Sequence, residues 1–210
     1  MTFPRVYSGK GEKLVASYSY ADIAEGTGIT IYYGATTTDS TGSSQYLSGS
    51  TNRTSDIELG GTGVSNVTLI EEFDFDLGAF NTPRILRGTA IVSLGLHHVR
   101  GDGGAHGELQ AIIKKWDGTS ETILVTIESE SYTATADYNI VLLPVIPKTY
   151  FKKGEILRLT IKTTHGNGAV GGSKMIIGNS PLNRDGALLI PSTNDITTQL
   201  IFKVPSDIDL

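Results

Sequence analysis

The chain has 210 residues and a mass of 22.4 kDa, with 39% hydrophobic and 19% charged residues, a net charge of −5 and a pI near 5.3. That balance is globular, and its acidity argues against a phosphate-binding surface, hence against DNA or RNA as a partner. With no cysteine there is no disulfide staple, thiolate metal site or cysteine nucleophile. The first residues, Met1 to Gly11, lack the apolar core of a secretory signal, and the longest apolar run, Ile140 to Pro147, is too short to span a bilayer. The expectation is a soluble protein without a membrane partner, made in a bacterial cytoplasm or inside an infected cell.

Lys13 to Tyr20 and Ile29 to Tyr33 alternate as strands, with a single helical turn predicted over Ala21–Glu25 between them. Tyrosines crowd this region, and tyrosine suits interfaces because an apolar body carries a polar tip. Tyr18, Tyr20, Tyr32, Tyr33 and Tyr46 are therefore the candidate partner-binding residues. From Gly34 to Ser65, 20 of 32 residues are Gly, Ser or Thr, a composition with too little apolar area to offset its own ordering entropy. It reads as a long arm that orders against something larger. Residues 1–65 are thus predicted to be N-terminal strands plus an arm, and residues 66–210 a sandwich that folds without them.

From residue 66 onward, eight strands are predicted, at 67–77, 85–96, 108–116, 121–128, 138–145, 155–163, 174–178 and 197–204. Period-2 alternation assigns inward rows: Ala90, Val92, Leu94 and Leu96; Leu109, Ala111 and Ile113; Ile123, Val125 and Ile127; Leu157, Leu159 and Ile161; and Leu200, Phe202 and Val204. Asp117-Gly118 supplies the positive φ of a tight turn between two of these strands. Eight strands at this spacing predict an all-β, antiparallel jelly-roll β-sandwich. Ile91, Ile112, Ile156 and Ile201 fall on the opposite parity, which predicts a second buried surface, packed between subunits or beneath the N-terminal segment, and the chain is predicted to be a homotrimer.

No motif carries a chemistry. His97 and His98 are adjacent, so on a strand they face opposite ways and cannot share an ion, and His106 with Asp102 or Glu108 falls short of a metal set. Arg100-Gly101-Asp102 is an adhesion-type triplet, but Gly-Asp-Gly-Gly is also turn chemistry. The Gly166–Gly172 run precedes a strand, whereas a phosphate cradle needs a helix N-terminus. The acidic Glu71–Asp76 run alternates like a solvated strand face. No cofactor, metal or catalytic residue is assigned, and the chain is read as a non-enzyme. Trp116, Tyr132 and Tyr138 are a thin aromatic supply for the alternative, a carbohydrate-binding module.

Two stretches resemble known families. Tyr150–Ile161, following Gly88–Leu94, is similar to jelly-roll heads of the tumour-necrosis-factor and complement-head type. The layout of Tyr18–Gly28, a Gly/Ser/Thr arm, a sandwich and Phe202–Leu210 resembles the head decoration, or cement, proteins of tailed bacteriophages. That second resemblance implies a trimeric jelly roll on the virion surface, bound to a lattice of major capsid protein and reaching neighbouring subunits with its arm. It brings no catalytic residue.

Overall fold

The computed structural model describes residues 16–17, 27–39, 42–52, 55–62, 69–100, 106–166, 174–188 and 196–207. Fourteen strands are found among them: β1 (Ala16–Ser17), β2 (Thr27–Asp39), β3 (Gly42–Ser48), β4 (Glu58–Thr62), β5 (Leu69–Leu77), β6 (Arg84–Thr89), β7 (Ile91–Val99), β8 (His106–Trp116), β9 (Glu121–Glu128), β10 (Ala136–Leu142), β11 (Val145–Phe151), β12 (Ile156–Gly166), β13 (Lys174–Gly178) and β14 (Ile201–Asp207). The predicted turn over Ala21–Glu25 lies outside the described residues.

Hydrogen bonding runs in the order β4-β13-β7-β14-β2-β3-β5-β12-β8-β9, with β10 added to β7 and the β6–β11 pair reaching β14. Every pair is antiparallel except β3 with β5, which meet in parallel at Tyr46–Asp76 and Leu47–Leu77. The fold is the predicted all-β sandwich. One layer is β5-β12-β8-β9, the other is built around β7, β13, β14 and β2, and β3 joins them. Their inward rows form one core that includes Val92, Leu94, Leu96, Leu109, Ala111, Ile113, Leu157, Leu159, Ile161, Phe202 and Val204. Each large aliphatic or aromatic member of that core stabilises the fold by about 1.5–3 kcal/mol relative to exposure.

Three departures from the predicted strands have local causes. The 85–96 run is two strands, β6 and β7, and the 138–145 run continues beyond Pro144 as the unpredicted β11. Both break at one place: the Ala90 N–H donates to the Pro144 carbonyl at 2.9 Å, so the paired strands bend together, as at a sandwich corner. In β9 the register slips because Ile113 pairs with Val125 but Lys114 pairs with Ile123, leaving Leu124 as an extra residue. This bulge turns Ile123, predicted inward, to the outer face, where it is 61% exposed. The predicted outward isoleucines are mostly covered within the single chain: Ile112 is buried and Ile91, Ile156 and Ile201 are half-buried.

The Gly/Ser/Thr-rich segment contributes strands. β2 and β3 form a hairpin over Tyr33–Asp39 and Gly42–Ser48, and β4 pairs with β13. Threonine is β-branched and favours a pleated surface, and the hairpin ladder satisfies main-chain groups that an apolar count leaves out. The segment is also tied in by buried polar groups. The Thr36 N–H donates to Ser55 Oγ at 2.8 Å, Ser55 Oγ donates to the Asn179 carbonyl at 2.9 Å, and Asn179 Nδ2 donates to Thr36 Oγ1 and to Ser55 Oγ. What it orders against is therefore its own chain.

Two expectations follow. Fragment 66–210, which the sequence suggested would fold alone, lacks β2 beside β14 and loses Tyr32, Ala35 and Leu47 from the interior. It is expected to be insoluble or to unfold without a cooperative transition, as read by circular dichroism against urea. At Gly95 an added Cβ would lie 1.9 Å from the Thr197 carbonyl oxygen, whereas at Gly78 it would meet nothing within 4 Å. G95A should therefore lower stability by roughly 1–3 kcal/mol in urea denaturation, with G78A within about 0.5 kcal/mol of the parent.

Candidate functional site

Of the five candidate tyrosines, Tyr18 and Tyr20 lie outside the described residues. Tyr32 is no surface residue: on β2 it shares the buried parity of Thr30, Gly34 and Thr36, it is 4% exposed, and burial pushes its phenol up to about 12. Tyr33 and Tyr46 are half-buried. The histidines do part as expected. His97 faces out and pairs with Asp137, and His98 faces the core. No three metal-ligating side chains converge among the described residues. Arg100 is exposed with its N–H on Thr135 Oγ1, while Gly101, Asp102 and residues 167–172 lie outside the described set.

The outer face of the β5-β12-β8-β9 layer is occupied by charge. Arg158 makes a fork to Asp76 at 2.6 and 2.7 Å, reaches Asp74 at 3.3 Å and contacts Glu121. Lys114, nearly buried, adds contacts to Glu121 at 3.1 Å and Asp74 at 3.6 Å, and Thr160 donates to Asp74. The Asp76 hydrogen bonds, against the cost of burial, hold the Arg158 proton still more tightly than usual. The acidic run is thus an ion-paired face, with its cations supplied by β8 and β12.

At one end of this layer an open polar cleft is lined by Asp117, Thr119, Lys152, Lys153, Gly154 and Glu155. Neither of its carboxylates has the raised pKa of a general acid. Asp117 is held low by the Ser120 and Thr119 N–H groups and the Ser120 hydroxyl. Burial works against ionisation of Glu155, but hydrogen bonds from Lys115 and the Lys152 N–H prevail. The three aromatics that the carbohydrate reading relied on are engaged internally: Arg158 lies 5.5 Å from the Trp116 ring centre, and the Tyr132 and Tyr138 rings pack at a tilt of 46° with centroids 4.6 Å apart, while Tyr150 is 52% exposed.

The distinctive surface is the β10–β11 edge, which sequence reasoning passed over as one dense apolar strand. Among the described residues β10 pairs only with β7 and β11 only with β6. From Asn139 to Pro147 burial alternates without interruption across the bend. Ile140, Leu142, Pro144 and Ile146 point inward, and Asn139, Val141, Leu143, Val145 and Pro147 point out. All five outward residues are uncharged, and Val141, Leu143 and Val145 are 58%, 52% and 62% exposed. Single exposed aliphatics are ordinary, but a row of them on an unpaired edge is what soluble proteins avoid unless something covers it. The signal was available in the sequence as a run apolar on both parities.

No family model matches the chain, and no curated protein matches it. Solved structures that it resembles include a CocE/NonD family hydrolase from Staphylococcus aureus, with a TM-score of 0.39 and 14% identity over 68% of this chain and 34% of that one. Another is the carbohydrate-binding module TmCBM61 in complex with β-1,4-galactotriose, with a TM-score of 0.29 and 14% identity over 58% of this chain and 65% of that one. A third is a structure of infectious bursal disease virus, Gx strain, with a TM-score of 0.26 and 14% identity over 99% of this chain and 58% of that one. The chain spans about a third of the length of the CocE/NonD hydrolase. The reading of the chain as a non-enzyme does not stand, since an aminopeptidase and an α-amino acid ester hydrolase are also among the similar structures. At TM-scores below 0.5 these likenesses assign no reaction and no ligand to this chain.

The ion-paired face yields a direct expectation. R158A leaves Asp74, Asp76 and Glu121 facing one another with only Lys114 between them, and should lower stability by roughly 1–3 kcal/mol in urea denaturation. R158K restores the charge but not the fork, and should recover only part of the loss.

Proposed function

We propose that this chain is a structural protein of the virion, a head decoration or cement protein of a tailed bacteriophage, bound at the capsid surface to the lattice of major capsid protein and to further copies of itself as a homotrimer. The observation that carries this reading is the apolar outward row Val141, Leu143, Val145 and Pro147 on the β10–β11 edge, where among the described residues β10 pairs only with β7 and β11 only with β6. It is a surface suited to another protein, since apolar side chains supply burial and edge main-chain groups supply hydrogen bonds. The contact surface is moved here from the tyrosines of the N-terminal segment to this edge. A protein that binds only the assembled lattice stabilises it by mass action, more strongly as its free concentration rises above its dissociation constant. The carbohydrate-binding alternative finds less support, because Trp116, Tyr132 and Tyr138 already pack on Arg158 or on each other, which leaves Tyr150 as a lone exposed ring among the described residues.

V141K/V145K changes only exposed positions, so its melting temperature should stay within a few degrees of the parent. The same variant should fail to co-sediment with capsids that retain the parent protein. Mass spectrometry of virions purified from host cells making this protein should find it alongside the major capsid protein, and its absence there would refute the reading. Sedimentation equilibrium should return three times the 22.4 kDa chain mass; a monomer would remove the trimer.

A further inference from the structure

Two inward rows, one from each layer, end in histidine. On β7 the row is Val92, Leu94, Leu96 and His98, and on β12 it is Leu157, Leu159, Ile161, Thr163 and His165; His98 is 0% and His165 1% exposed. Gly107 of β8 is the cross-strand partner of His165. A Cβ at Gly107 would lie 2.6 Å from Met175 Sδ, 3.0 Å from His98 Cδ2 and 3.2 Å from His98 Nε2. The opposite layer therefore presses His98 and Met175 onto bare β8 backbone, directly beside His165. A side chain at position 107 would keep the two rings apart.

We infer that His98 and His165 form an acid-sensitive latch between the layers, shut at neutral pH and opened when protons are taken up at mildly acidic pH. His98 Nδ1 lies 2.8 Å from the Ala134 carbonyl and so carries the hydrogen of the neutral ring. Its Nε2, where a second proton must go, is buried without a hydrogen-bond partner. Near the pair are His97 of β7, itself paired with Asp137 of β10, the exposed His106 of β8 and Glu71 of β5, while Glu108 of β8 and Lys174 of β13 are chain neighbours of Gly107 and Met175 on the opposite strand parity. His165 Nε2 is 3.9 Å from a Glu71 oxygen, so a proton there has a carboxylate nearby. A proton on His98 meets burial and the charge of its histidine neighbours, opposed only by the Ala134 carbonyl.

Burial first, then those neighbouring charges, lowers the proton affinity of His98, and burial followed by the charge of His98 does the same for His165. In the open or unfolded chain both rings return to about 6.5. Below that pH the open form binds more protons than the closed one, so closure is fully stable above about pH 6.5 and is lost progressively beneath it. With two protons involved, the opening equilibrium rises by up to about 100-fold per pH unit.

Amide hydrogen exchange on the full chain, corrected for intrinsic rates, tests this at pH 7.5 and 5.5. Protection at His98, Gly107 and His165 should fall by at least about 10-fold more than at Leu94, Ala111 and Leu159. In H98N/H165N, where the amide introduced on β7 can still donate to the Ala134 carbonyl, that difference should vanish. Equal loss of protection along the strands, or an undiminished difference in the variant, would overturn the latch. Should the variant not fold, an NMR titration of the parent rings decides: both must titrate below 6.5, and either one titrating at or above it refutes the proposal.

Discussion

The structure depends on β2 changing partners at Tyr33. Up to that residue β2 pairs with β14, from Ile201↔Tyr33 to Asp207↔Thr27, and from it onward with β3, from Tyr33↔Ser48 to Asp39↔Gly42. One strand thus carries the hydrogen-bond ladder from one layer into the strand that reaches the other. The switch needs close approach: Gly34 donates its N–H to the Leu200 carbonyl at 2.9 Å, and a Cβ there would come within 2.5 Å of the Leu200 side chain. Glycine is the residue that lets two backbones meet this closely. Beside it the Thr36–Ser55–Asn179 cluster pairs the Thr36 N–H, the Ser55 hydroxyl and the Asn179 Nδ2 group, which would otherwise be costly in a dry interior, although Asn179 Oδ1 has no hydrogen-bond partner among the described residues.

Charge is distributed so that the two exposed regions behave differently. On the outer face of β5, β12, β8 and β9, Arg158 and Lys114 are shared among Asp74, Asp76 and Glu121, and a partner landing there would have to displace a forked arginine contact. Removing paired charges from water without equal replacement is unfavourable. The β10–β11 edge has no such barrier, since its outward side chains from 139 to 147 carry no charge to desolvate. Electrostatics alone therefore ranks the edge above the sheet face as a place for protein contact.

Much of the core was legible because period-2 alternation is a strong signal wherever one face is buried. The rows on β7, β8, β12 and β14 are the ones the sequence marks out. Alternation misled where the register slips, at Leu124, because a one-residue bulge exchanges the two faces without altering composition. It was silent on the partner of each strand, so the joint bend at Ala90 and Pro144 was invisible. The Thr/Ser-rich β2–β3 hairpin was missed because its stability comes from ladder hydrogen bonds and neighbours distant in sequence. Of the candidate site, the apolar run was visible and its free edge was not. The inward fate of His98 followed from parity, yet its proximity to His165 depends on the missing side chain at Gly107, a relation between layers that no local pattern encodes.

The edge also poses a problem of register that its prolines answer. Where outward positions are charged, slipping a strand by one residue would bury charge, and that penalty fixes the pairing. From Ile140 to Ile146 both parities are apolar, so the penalty is absent and hydrophobicity alone would tolerate the slip. Pro144 and Pro147 have no N–H to offer a ladder, which makes registers unequal in hydrogen bonding even when they are alike in burial. The Ala90 N–H to Pro144 carbonyl bond anchors the bend at one residue, and the shift between Ile146 and Thr149 takes up the mismatch around Pro147. Chain register is thereby set by backbone constraint, which frees Val141, Leu143 and Val145 from that duty and leaves these three apolar side chains exposed on the outer face.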